Sequence, residues 1–393
     1  MNKPKLLYAS PFPPMRSGVS DYSEVLVYGL NSFYDITLYI DDYRLSNKNL
    51  YKDFEVKCHD IDHFDFTDFR YRIYNIGNNP YFHSFIYQIA LAHPGLVILH
   101  DFVLYYLTIG YYINKNKLYS KIYECEGAKG IDSIKKYTKE GKDLLECKNL
   151  AVRLPLNAEL LSSGNKIMVH SNYAFNKISP AIDDPSLLRK INLVQQVSKT
   201  GKIINKKLLF NKLGIPQKSI LISSFGAIDY TKLNHIVCQV IKRINVQLDN
   251  VFYLMVGEGH YVDEYLNSNI KKTGYVGILE FDSLIAHSDI VVNLRFPSMG
   301  ETSATLIRAL GIGKPCVVNN DAWFSELPDS LVAKIGNENI VEELYERLLL
   351  LIQDPELRTN ISKSAAEYVE NEHGVDMIAR QIDAFLQNAA IVQ

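Results

Sequence analysis

Two kinds of block alternate along this chain. Short runs rich in branched apolar residues recur: Lys5-Leu-Leu-Tyr-Ala9, Gly95-Leu-Val-Ile-Leu99, Lys166-Ile-Met-Val169, Ser219-Ile-Leu-Ile-Ser-Ser-Phe225, Val251-Phe-Tyr-Leu-Met-Val256, Asp289-Ile-Val-Val-Asn-Leu294 and Pro315-Cys-Val-Val318. Runs of that length and composition read as buried strands. Between them lie stretches with helix caps and few breakers, so the fold class is α/β. The clearest unit spans Asp289 to Val318. There Thr302 and Ser303 are good caps, Ala304 to Leu310 carry no breaker, and Gly311 and Gly313 form a stop. A helix is therefore predicted to start right after Glu301.

Composition narrows the class. The 393 residues suit two or more domains. An apolar content of 47% against 22% charged is ordinary for a folded protein, and a formal charge of −2 gives no reason to expect nucleic acid as a partner. Five scattered cysteines indicate neither a disulfide framework nor a zinc site and fit a reducing cytoplasm. No run approaches the ~20 apolar residues of a membrane helix. The segment Gln195 to Asn205 breaks the pattern with polar residues and glycine. It divides residues 1–200 from 201–375.

The candidate chemistry gathers where strands end, the place open parallel sheets use for ligands. Gly18, in a proline-rich loop after the first strand, lets backbone approach a ligand, and Ser20 or Asp21 is the expected cap of the helix that follows. His100 and Asp101 end another strand. Gly226 ends a third, and Lys232 follows it where an ammonium group reaches phosphate oxygens. Around Glu301, a helix N-terminus offers amides to phosphates, while a carboxylate accepts hydroxyls from a sugar or ribose. Each residue also has a plainer reading, as a dipole-complementing acid, a satisfied strand-end histidine or an exposed lysine. The segment Tyr111 to Asn149 is lysine-dense, with Lys115, Lys129, Lys135 and Lys136 among others. It reads first as a solvated helical face, with a peripheral contact on anionic lipid as the alternative.

Pro297-Ser298-Met-Gly-Glu301, followed by Arg308-Ala-Leu-Gly-Ile-Gly-Lys-Pro315, resembles the C-terminal signature of the retaining glycosyltransferases of family 4, which have the GT-B fold. Their pattern is also similar at the Gly18 loop, at His100, at Val-His170-Ser171, at Gly257-Glu-Gly259 and at Gly274-Tyr275-Val276. The resemblance implies two Rossmann-like domains facing a cleft, with residues 376–393 crossing back as a helix to the first domain. It implies a nucleotide-diphosphate sugar as donor and a glycan or lipid-linked glycan as acceptor, in surface polysaccharide assembly at the inner face of the plasma membrane. Glu301, His100 and Asp101 are then catalytic candidates. Gly18, Gly226, Lys232, Val276, Arg295, Thr302, Ser303 and Arg308 are donor-binding candidates, with Val276 reading the base through its backbone. No cofactor or metal is expected, since no Asp-x-Asp appears at a strand end.

Two departures stand out. Ala227 occupies the place of the family's diphosphate arginine, and Arg308 or Ala309 that of its second glutamate. Arg295 and Arg308 are the residues available to replace the missing charge, with the alternative that Arg308 lies one turn too deep and pairs with an acid. A non-catalytic GT-B subunit and a GT-B sugar-nucleotide epimerase remain as alternatives. A Rossmann dehydrogenase is disfavoured, because no early Gly-x-Gly-x-x-Gly occurs.

Overall fold

The computed structural model describes residues 3–195 and 202–388. The predicted division at residues 200/201 and the tail beyond 388 lie outside the described residues. The chain forms two compact units. One comprises residues 1–194, 299–302 and 375–393, and the other comprises 195–298 and 303–374.

The first unit holds a seven-stranded sheet of β1 (Lys5–Ala9), β2 (Asp35–Ile40), β3 (Glu55–Cys58), β4 (Tyr71–Ile76), β5 (Leu96–Leu99), β6 (Lys166–Val169) and β7 (Leu188–Lys190). Every pairing is parallel, in the order β3-β2-β1-β4-β5-β6-β7. Parallel strands need crossovers that cover both sheet faces, which is why β1, β5 and β6 are almost wholly apolar and buried. Helix Val375–Gln387 belongs to this unit and lies against helix Gly18–Leu30. A Cβ on Gly29 would stand 2.7 Å from Val375 Cγ2, so glycine allows the close approach. Buried Lys166 donates to the carbonyls of Phe385 (2.8 Å) and Leu386 (3.2 Å), closing the C-terminal end of that helix with a cation.

The second unit holds a six-stranded parallel sheet of β8 (Ile220–Phe225), β9 (Val251–Val256), β10 (Ile270–Lys272), β11 (Ile290–Asn293), β12 (Cys316–Asn319) and β13 (Val332–Ile335), in the order β10-β9-β8-β11-β12-β13. Its core is the branched residues of these strands with Val237, Ile241, Leu344 and Leu348 from the covering helices. No helix among the described residues is long and apolar enough to cross a membrane.

Candidate functional site

In the second unit the winding of the sheet reverses between β8 and β11, which are neighbours although β9 and β10 intervene in the chain. The crevice outside the carboxyl ends at such a reversal is where open α/β sheets take ligands. Gly226 leaves β8 there at φ +89, a conformation open to glycine and strained for other residues. A Cβ at Gly226 would stand 2.6 Å from Lys232 Nζ and 4.0 Å from Thr305 Oγ1. Gly257 is needed for the same reason of closeness, since a Cβ on it would lie 2.0 Å from the Gly226 carbonyl oxygen.

Lys232 ends a single 3-10 turn, Tyr230–Lys232, whose cap is Asp229; the Asp229 carboxylate accepts from Thr231 N at 2.9 Å. The lysine ammonium donates to the Phe225 carbonyl at 2.8 Å, which uses one of its three protons. Arg295 follows β11 on the other side of the reversal. Its backbone N–H donates to the buried Asn319 side chain at 2.6 Å, and its Nη1 donates to Thr231 Oγ1 at 3.3 Å. Thr231 thus links the lysine turn to the arginine. Gly226, Lys232, Arg295 and Thr305 follow the carboxyl ends of the central strands β8 and β11.

Helix Ala304–Gly311 begins later than predicted. Ser303 is its cap, accepting from Leu306 N at 3.1 Å. Thr302 and Glu301 therefore precede the helix rather than occupy its first turn. Glu301 closes a tight turn instead, its Oε2 accepting from Met299 N at 2.7 Å across Gly300, which has φ +82.

Arg308 corrects an expectation. It stands just over one turn into the helix, is 6% exposed, and pairs with Asp282 at 3.1 Å. A guanidinium buried against a carboxylate is neutralised there, so Arg308 is removed from the set that could replace the missing arginine. Val276 lies half-buried in the turn between β10 and helix Ile278–His287, apart in sequence from the reversal.

In the first unit the reversal falls between β1 and β4. Gly18 opens helix Gly18–Leu30, whose cap is Ser17, accepting from Val19 N at 3.2 Å, and not Ser20 or Asp21. His100 follows β5, and its Nε2 lies 3.1 Å from Asn75 Oδ1 on β4. Its ring is 4.8 Å from that of Tyr22 and 5.0 Å from that of His170. Burial, and then His170 and His83, hold the His100 pKa well below the ordinary histidine value. Burial also lowers His83 to about 4 and raises the Tyr22 phenol. Asp101 Oδ2 accepts from Asn78 N at 2.9 Å, tying together the loops after β4 and β5.

Sequence reasoning passed over Asn75 as a side chain, and it passed over Thr231, Thr305 and Asn319. The signal for Thr305 was its place at the start of a helix that follows a strand end.

Residues 205–368 match the family model for the glycosyl transferases, group 1. No curated protein matches the chain. Among solved structures, that of Anabaena HepE with UDP and glucose has a TM-score of 0.66 at 14% identity, covering 98% of this chain and 100% of that one. WaaG, a glycosyltransferase involved in lipopolysaccharide biosynthesis, has a TM-score of 0.64 at 13% identity, covering 98% and 100%. Sucrose-phosphate synthase of Thermosynechococcus elongatus has a TM-score of 0.65 at 11% identity, covering 98% of both chains. The fold is GT-B. The class so defined is a GT-B-fold protein whose residues 205–368 match the glycosyl transferases group 1 model.

Proposed function

We propose that the protein is a glycosyltransferase that moves a sugar from a nucleotide-diphosphate sugar, with retention and without a metal, onto a glycan or lipid-linked glycan in surface polysaccharide assembly. The observation that carries this is the placement of Lys232 after β8 and of Arg295 after β11, linked through Thr231, with Thr305 in the first turn of a helix close to Gly226. Two cations and a helix N-terminus are what a leaving diphosphate requires, because they stabilise charge that grows as the glycosidic bond breaks. In this reading Glu301 and His100 are the groups that accept hydroxyls of the sugar. HepE, which shares the fold, has been seen with UDP and with UDP-glucose, so a uridine diphosphate sugar is the first donor to test.

A binding role without catalysis is the second reading. It is favoured by one observation, that Ala227 stands where the resemblance implies the diphosphate arginine and Arg308 or Ala309 where it implies a second glutamate. Release of nucleoside diphosphate from a panel of nucleotide sugars, with and without EDTA, tests both. Binding without release supports the second reading, and release that EDTA abolishes and manganese restores overturns the metal-free mechanism.

The same proposal puts the protein in the cytoplasm at the membrane's inner face. The segment Leu118–Lys139, broken at Gly127, exposes Tyr119 and Tyr123 before the break and Lys129, Lys135, Lys136 and Lys139 after it, the mixture of aromatics and cations that an anionic interface attracts. Lys121 is not part of that face, being paired with Glu124 and Glu159. Sedimentation with anionic vesicles that high salt reverses supports the contact, and no sedimentation at low salt removes it.

A further inference from the structure

We propose that Asn75 is a positioning residue that holds His100 as the neutral tautomer protonated on Nε2, so that Nδ1 offers a lone pair to a hydroxyl of the bound saccharide. The identity of that ligand rests on the glycosyltransferase reading. The tautomer rests on the geometry of the first unit alone.

Asn75 is the penultimate residue of β4 and is fully buried. Its Oδ1 lies 3.1 Å from His100 Nε2. An amide oxygen only accepts, so Nε2 must carry the hydrogen, and in a neutral ring the acceptor is then Nδ1. No hydrogen bond to His100 Nδ1 occurs among the described residues, and that atom is not one of the buried, unpartnered ones. It is left open to a ligand.

The amide orientation and the tautomer stand or fall together: reversing the amide would put its nitrogen beside His100 Nε2 and move the ring proton to Nδ1.

The surroundings favour the neutral ring. Tyr22 from helix Gly18–Leu30 and His170 from the end of β6 face it with their rings. His83, from helix Pro80–Ala92, lies behind Asn75 with Nδ1 3.1 Å from the Asn75 carbonyl oxygen. Asp101 is next in the chain, but its Oδ2 accepts from the Asn78 amide. Burial and two imidazoles all disfavour a second proton on His100, and the direction of its pKa agrees. A histidine so held accepts a hydroxyl and does not act as a cationic acid.

Nitrogen-15 NMR of the imidazole rings of the intact, ligand-free protein tests this, with the His100→Gln spectrum assigning the resonance among ten histidines. The expected result at pH 6.5 is a pyrrole-type signal on Nε2 and a pyridine-type signal on Nδ1. In Asn75→Asp, a carboxylate beside Nε2–H should raise the His100 titration midpoint by about one to three pH units. A proton on Nδ1, or a cationic ring at pH 6.5 in the unmutated protein, overturns the proposal. So does a folded Asn75→Asp variant with an unmoved midpoint. The wild-type spectrum decides even if that variant does not fold, and it decides whether or not the protein transfers sugar.

Discussion

Arg308 Nε lies 3.1 Å from Asp282 Oδ1, and both side chains are under a tenth exposed. A buried pair of this kind is strongly destabilising to break from one side, because the remaining charge is left in a low-dielectric interior. Arg308→Ala should therefore cost ~3–5 kcal/mol in denaturant unfolding. A stable Arg308→Ala protein that has lost nucleotide affinity would return Arg308 to the diphosphate.

Lys232→Ala removes a cation at the carboxyl end of β8 rather than in the core. The expected loss is ~1.5–3 kcal/mol of charged hydrogen bonding, read as weaker nucleoside diphosphate binding by calorimetry. Melting temperature should move little. Unchanged affinity would make Lys232 only the group that closes the end of β8 through the Phe225 carbonyl.

Arg295, held by Asn319 and Thr231, is the residue left to offset Ala227. Arg295→Ala should weaken nucleotide binding, and adding Ala227→Arg should restore part of it. No recovery would assign Arg295 to structure alone.

The sequence already carried the buried strands β1, β5, β6, β8, β9, β11 and β12, because each is a short run dominated by branched apolar residues. It did not carry β3 and β7, edge strands of four and three residues with the polar sequences Glu-Val-Lys-Cys and Leu-Arg-Lys, which only pairing with a neighbour makes into strands. Caps were legible as a type and not as a position. Thr302 and Ser303 both qualify, as do Ser17, Ser20 and Asp21, and the backbone selects Ser303 and Ser17. Arg308 could not be placed from sequence because its partner is 26 residues away. The link from Arg295 through Thr231 to Asp229 was hidden for the same reason.

His83 gives the pH dependence a sign. Burial lowers its folded pKa to about 4, below the ordinary histidine value, so the unfolded chain binds its proton first as pH falls. The stability of the neutral ring is fully present above the unfolded pKa and declines from about pH 6.5 to pH 4, by roughly 3 kcal/mol in total. His100, shifted the same way, adds to the slope. Urea unfolding at pH 7 and pH 4.5 should show a smaller loss in His83→Gln than in wild type. Equal losses would mean that His83 is not buried neutral.

The central claim is sugar transfer that depends on Glu301, and the most direct measurement is turnover and melting temperature on one preparation each of wild type and Glu301→Gln, across nucleotide sugars. Glutamine keeps the size and one acceptor oxygen but loses the charge. The account predicts that wild type releases nucleoside diphosphate from one donor, and that the variant binds the diphosphate nearly unchanged while turning over roughly 10²-fold more slowly. A variant that melts earlier but keeps full turnover would contradict it, leaving Glu301 as the carboxylate that closes the turn on Met299.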